Sequence, residues 1–219
     1  DGHAAVAIFS SNRIHPWYVH EVSQLSQRHQ SSIAGAHRQG LHDLRAAAQG
    51  LRQTHDNVVT SDPDNVGYYI QSGRQRSRGV EADLLWEPTP AFSLLANYAY
   101  TDTRDEGVAP GDRIARVPRH GGRVAARYRI LNGPAKGLAF GAGVTAFASR
   151  ELTLPNSIAV PGYAALDAQA SYDMGRLSLA LSAVNLGGRK AWDPHSYMGY
   201  PVVSPNQPRS AFITLKAGI

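Results

Sequence analysis

The stretch Gly79–Tyr100 reads GVEADLLWEPTPAFSLLANYAY. Val80, Ala82, Leu84 and Trp86 are apolar, and Glu81 and Asp83 stand between them. After a proline-containing turn, Phe92, Leu94, Ala96, Tyr98 and Tyr100 recur at every second position, with Ser93 and Asn97 among the residues between. A strand sends successive side chains to opposite faces, so the stretch reads as two strands joined by a tight turn, each with one apolar face. That face needs either a protein core or lipid against it. The choice decides what the chain does.

The totals narrow the options. The chain has 219 residues, enough for one large domain or two small ones. Hydrophobic residues make up 42%, but no run approaches the ~18–20 apolar residues of a membrane helix, which excludes a helical membrane protein. A transmembrane barrel remains open, because its lumen-facing residues dilute the lipid-facing ones. There is no cysteine, so disulfide scaffolds, thiolate zinc sites and cysteine nucleophiles are excluded. The net charge is +5, yet the arginines are scattered and form no basic run, so no nucleic-acid partner is expected. The opening DGHAAVAIFSS lacks the basic and long apolar regions of a secretory signal, and the chain reads as a piece of a longer one.

Two regions differ in character. Residues 1–55 hold seven of the nine histidines and show no period of two. They are expected to be irregular or partly helical. In GLHDLRAAAQGLRQ (Gly40–Gln53), Leu41, Leu44, Ala48 and Leu51 fall on one helical face and suggest a short helix. Residues 56–219 form the second region, a series of alternating segments. Strands are predicted near 66–87 (interrupted about Gly73), 91–104, 119–131, 137–150, 162–173, 176–188 and 209–219, with an eighth, weaker segment near 52–60. Several are far longer than the ~5–6 residues usual in soluble sheets and match the ~9–11 needed to cross a bilayer at a tilt.

The connections alternate. EPTPA (87–91), NGPAKG (132–137) and DMGR (173–176) are short, while those near 104–118, 151–161 and 189–208 are long. Such sorting is characteristic of outer-membrane barrels, with turns at one end and loops at the other. One face of the strands carries Val124, Ala126 and Tyr128, Phe140 and Val144, Leu166, Leu177, Leu179, Leu181, Ile213 and Leu215. The other carries Glu81, Asp83, Arg123, Arg127, Arg129, Asp167, Gln169 and Lys216, which suits a wet or plugged lumen and equally the solvent face of a soluble sheet. Trp86, Phe92 and Tyr172 lie near short turns, and Tyr98 and Tyr100 lie toward the long loops, as two interfacial girdles would. Strand length and loop sorting favour an all-β, antiparallel, up-and-down transmembrane β-barrel segment over a soluble β-sandwich binding module.

Six stretches in order then carry a resemblance. DNVVTSDPDN (56–65), QSGRQRSRGVEADLLWEP (71–88), LLANYAYTDT (94–103), RVPRHGGRVAARYRI (116–130), the run from Leu152 to Trp192, and QPRSAFITLKAGI (207–219) resemble the last barrel strands of TonB-dependent siderophore receptors, closest in wording to the ferric-hydroxamate (ferrichrome-type) group. The resemblance implies a receptor of the bacterial outer membrane that takes up ferric siderophores and catalyses no reaction. It implies about 7–8 strands of a larger barrel, a plug domain that fills the lumen, and energy from the TonB system through a box before the plug. Neither plug nor TonB box is recognisable in these 219 residues. The implied partners are the ferric siderophore, TonB, and outer-membrane lipid and lipopolysaccharide. No cofactor is expected, because the iron is cargo.

Two departures stand out. The family usually ends in an aromatic residue, where this chain has KAGI, and Gly187–Gly188 replaces a bulkier pair. Residues 1–55 match none of the expected upstream strands, and a shifted reading frame would explain them. The readings that stay open are a passive porin or adhesin barrel, a soluble sandwich module, and a nonfunctional gene remnant.

The resemblance places ligand contacts on the plug apices and outer loops. The candidates here are Tyr68, Tyr69, Trp192, Tyr197 and Tyr200, with Arg150 and His195 nearby. Aromatic side chains suit the organic shell of a siderophore. Packing of loop against loop is the competing role for each. VPRH (117–120) reads as the entry from loop to strand, since Pro suits a strand's first residue. The histidines show no metal-ligand spacing with a carboxylate. Asp1-Gly2-His3 would chelate Cu(II) or Ni(II) only at a free amino terminus. No catalytic constellation stands out.

Overall fold

A computed structural model describes residues 43–56, 58–62, 64–71 and 73–218. The regular structure among them is all strand. Eight strands make one antiparallel sheet: β1 (Asp43–Asp56), β4 (Arg74–Thr89), β5 (Phe92–Asp105), β6 (His120–Arg129), β7 (Leu138–Phe147), β10 (Tyr163–Asp173), β11 (Leu177–Val184) and β14 (Ser210–Ala217). They lie side by side in that order, an up-and-down meander. Three hairpins stand in the loops: β2 (Val59–Ser61) with β3 (Tyr69–Gln71), β8 (Arg150–Glu151) with β9 (Ala159–Val160), and β12 (Trp192–Tyr197) with β13 (Tyr200–Pro205). Among the described residues no pairing joins β1 to β14, so the sheet is open at both edges.

The register brings the predicted apolar face together. One rung runs Ala46–Leu84–Ala96–Val124–Val144–Leu166, and the next runs Leu44–Trp86–Leu94–Ala126–Ala142–Ala168–Ala183. Toward the short turns, Phe92, Tyr128, Phe140, Ala170, Leu181 and Ile213 follow on the same face. Trp86 meets Phe92 edge-on at 6.2 Å. At the other end Tyr98 and Tyr100 flank His120, whose Nδ1 lies 2.7 Å from the Tyr98 hydroxyl. The two aromatic bands predicted from sequence are therefore real features of one face.

Among the described residues nothing covers that face. Val124 is 52% exposed, Leu181 50% and Ile213 70%. The only buried apolar residues described are Ala109, Ala139, Val160 and Ala191. A sandwich would lay a second sheet over the first at ~10 Å. Here, among the described residues, the main strands pack against their neighbours in the sheet and no second sheet lies over them. An apolar face of this size needs an apolar solvent, and the sandwich reading is set aside.

The opposite face is polar and internally bonded. Arg123 Nη1 donates to Thr145 Oγ1 at 2.6 Å and to Asp167 Oδ2 at 3.1 Å. Gln49 Nε2 donates to Glu81 Oε2 at 2.9 Å. Gly143 lies between Arg123 and Asp167 for a steric reason: a Cβ there would sit 2.9 Å from Ala125 Cβ and 3.1 Å from Arg123 Nη2. Gly143→Val should displace the guanidinium and cost ~1–3 kcal/mol by overpacking. Urea unfolding of the reconstituted protein checks this, with an unchanged midpoint as the contrary result.

Two expectations need correction. The short helix over Gly40–Gln53 is absent where described, because residues from Asp43 onward form β1 and pair along their length with β4. Strand is therefore already present at Asp43, the first described residue, and not only from near 56, and the segment near 52–60 is split between the end of β1 and β2. Leu44, Ala46, Ala48 and Gly50 share one face of β1. The Ala46–Ala48 run conceals this alternation, since Ala suits either face. The predicted strand at 66–87 is interrupted at Gly73 as expected, into β3 and β4, because the φ of +88° there breaks the extended chain. Residues 1–42, including Asp1-Gly2-His3 and the possible frame shift, lie outside the described residues, as does Ile219.

Candidate functional site: the loop end of the sheet

The four long connections (57–73, 106–119, 148–162 and 185–209) leave the same end of the sheet. Side-chain bonds tie the second to the third and the third to the fourth. In the first, Asn65 Nδ2 and the Asp64 N–H donate to Asp62 at 3.0 and 2.9 Å. These bonds hold the Asp62 carboxyl below its usual range, the Asn65 bond most of all. In the second, fully buried Asp105 accepts from the N–H groups of Gly107 and Ala109 at 3.1 and 2.8 Å.

Asn156 joins the second loop to the third. Its N–H donates to Asp112 Oδ2 at 2.8 Å, its Oδ1 accepts from the Arg113 N–H at 2.7 Å, and its Nδ2 donates to the Arg113 carbonyl at 2.8 Å. Arg150 joins the third to the fourth. Its Nη2 donates to Asp193 Oδ1 at 2.9 Å and to the Trp192 carbonyl at 3.1 Å, and its guanidinium lies 5.8 and 5.9 Å from the Phe147 and Tyr163 ring centres. Asn206 Nδ2 donates to the Tyr163 hydroxyl at 2.7 Å. Buried Asn185 closes the base of the fourth loop through Arg189, Gln207 and Asp167.

The tips of the first and fourth loops also meet. A Cβ on Gly199 would lie 3.3 Å from the Tyr69 hydroxyl and 3.8 Å from Gly67 Cα. Their parent strands β4 and β11 are five spacings apart, about 24 Å on a flat sheet. Sheet curvature and loop reach close that gap.

The candidate residues separate accordingly. Tyr197 pairs with Tyr200 across a two-residue turn in which Met198 and Gly199 both take positive φ (49° and 85°), the hairpin geometry such turns require. His195 shares their face of the hairpin, while Trp192 lies on the other. Tyr69 reaches the same tip, and Tyr68 stands beside it, 71% exposed. Tyr69 thus reaches the hairpin tip formed by Tyr197 and Tyr200, with His195 further down the same face of that hairpin. Arg150 stands apart: its side chain is only 11% exposed and holds the loops together. The residues that position the loops, Asn156, Asn185, Asp193 and Asn206, gave no signal in sequence, because loop Asn and Asp are common and their partners lie up to 44 residues away.

The comparisons follow the same pattern. A family model described as "TonB dependent receptor-like, beta-barrel" matches residues 39–186. The chain is 32% identical over 164 residues to the metal-pseudopaline receptor of Pseudomonas aeruginosa, covering 73% of this chain and 23% of that protein. It is 30% identical over 142 residues to the ferrichrome outer membrane transporter/phage receptor of Escherichia coli, covering 64% and 19%. Among solved structures, the ferric yersiniabactin uptake receptor FyuA from Yersinia pestis matches with a TM-score of 0.69 at 18% identity, covering 80% of this chain and 27% of that one. The siderophore receptor PiuA from Acinetobacter baumannii matches at 0.65 and 23% identity, covering 80% and 26%. At those identities the structures speak to fold alone. The chain spans about a quarter or less of the length of the relatives it matches.

Proposed function

Since the chain belongs to the TonB-dependent receptor β-barrel family, we propose that it forms one side of an outer-membrane barrel that takes up a ferric siderophore. The family resides in the outer membrane of Gram-negative bacteria and consists of receptors and transporters. One observation carries the reading: an apolar face that no other described residues cover across eight strands, with the second, third and fourth long loops bonded in series at one end. The apolar face meets lipid and lipopolysaccharide. The polar face lines the lumen. The loop end faces outward and offers Tyr69, His195, Tyr197 and Tyr200, with Tyr68 and Trp192 at its margins, to the organic shell of a ferric-hydroxamate-type ligand. Iron travels as cargo inside that shell, energy comes from TonB, and no bond is made or broken by the protein.

The test uses the full-length product of the gene in a strain lacking its own hydroxamate receptors. Growth on a ferric hydroxamate that disappears when TonB is deleted is the expected result. Growth that survives TonB loss, with entry of unrelated small solutes, would identify a passive porin. In the same assay, Tyr197→Ala and Tyr200→Ala together should weaken ligand binding by about tenfold, or ~1.4 kcal/mol. Unchanged binding would confine these tyrosines to loop packing.

A further inference from the structure

Met198 is out of place on two counts. It holds the first central position of the β12–β13 turn with a φ of 49°, and Gly199 follows at 85°. Positive φ at both central positions favours Asn, Asp and Gly, so the backbone gives no reason for a methionine there. Packing gives none either. Met198 is 76% exposed, the most exposed large apolar side chain among the described residues. A residue held in a sparsely populated conformation, with no packing to explain it, points to a use for its side chain.

That side chain brings a thioether, which is soft, polarisable and open to oxidation. Tyr197 and Tyr200 bracket the turn, 64% and 54% exposed, and the Cβ position of Gly199 lies 3.3 Å from the Tyr69 hydroxyl. The sulfur is thus carried at the tip where three tyrosines gather and where water reaches it freely. The other methionine of these 219 residues, Met174, sits in the β10–β11 turn at the opposite end of the sheet and is 47% exposed.

We propose that Met198 is a site of reversible oxidation by peroxide, and that its sulfoxide weakens ligand capture at the loop end. A sulfur lone pair attacks one peroxide oxygen, an S–O bond forms and the O–O bond breaks. The departing hydroxide takes the proton from the transferred oxygen and leaves as water, so sulfur is oxidised and peroxide reduced. The step turns an apolar side chain into a polar, chiral one. A surface that offers aromatic rings to an organic shell then carries a strong hydrogen-bond acceptor that prefers water. The loss of affinity rests on the uptake reading above. The oxidation itself rests only on exposure and turn geometry.

The test uses the full-length receptor purified in detergent and treated with millimolar hydrogen peroxide. Sulfoxide at each methionine is read from peptide masses, and binding of a ferric trihydroxamate is measured before and after. Wild type should lose at least threefold in affinity as Met198 oxidises, and methionine sulfoxide reductases A and B together should restore it. Met198→Leu should hold its own affinity through the treatment, and Met198→Gln should bind weakly without it. Met174→Leu should lose affinity as wild type does. Undiminished binding with Met198 fully oxidised overturns the proposal, as does an equal loss in Met198→Leu. If the untreated receptor binds no ferric trihydroxamate, the uptake reading fails and the masses alone decide this inference. Sulfoxide at Met198 ahead of Met174 then supports it, and the reverse order overturns it.

Discussion

Arginine at Val144 will destabilise the membrane-inserted protein by about 2–4 kcal/mol, while arginine at Ser182 will cost less than about 1 kcal/mol. Val144 is 43% exposed on the apolar face, between Val124 and Leu166 and away from both aromatic bands. A charge there has no headgroup within reach. Ser182 points to the polar face, between Gln169 and Phe212, where the lumen supplies water. Urea unfolding in liposomes gives both numbers. Equal penalties would mean that both faces see the same solvent, which a barrel wall does not allow.

The second large effect concerns the loops. Arg150→Ala removes a buried cation that ties Asp193, the Trp192 carbonyl and two aromatic rings together. A fully buried ion pair broken on one side costs ~3–5 kcal/mol. Asp193 is 41% exposed, so screening lowers the expected loss to ~1–3 kcal/mol. The damage should stay local, because the sheet does not depend on this contact. Limited proteolysis should cut within 185–209 at least tenfold faster than in wild type, with sheet stability unchanged. Asp193→Ala should give a similar but smaller effect. An unaltered cleavage rate in both would mean that the loops hold together without the strut.

How much of this was legible in sequence depends on the scale of the interaction. The strands from Phe92 onward were readable because burial on one face imposes a period of two over 8–14 residues. β1 was misread because Ala46, Ala47 and Ala48 satisfy a helical stripe as well as a strand, and only pairing with β4 decides between them. The aromatic residues of the loops were visible as types, but their grouping was not. Tyr69 reaches the tip at Gly199 through the turn geometry of Met198–Gly199 and through sheet curvature, neither of which leaves a local pattern. Arg150 looked like a ligand contact because arginine is common at binding surfaces. Its partner Asp193 lies 43 residues away, and distance in sequence concealed the ion pair.

The central claim is that the alternating strands carry a lipid face and a lumen face. These 219 residues hold no cysteine, so single Cys substitutions within them report on each position once any cysteine elsewhere in the full-length receptor is replaced. Spin labels placed one at a time at 177–183 of β11, in the full-length receptor reconstituted in outer-membrane lipid, give the most direct measurement. Leu177, Leu179 and Leu181 should be accessible to oxygen and protected from a water-soluble relaxant, with Ser178, Ala180 and Ser182 reversed or protected from both. Accessibility with no period of two, or with the leucines on the wetter face, would contradict the account.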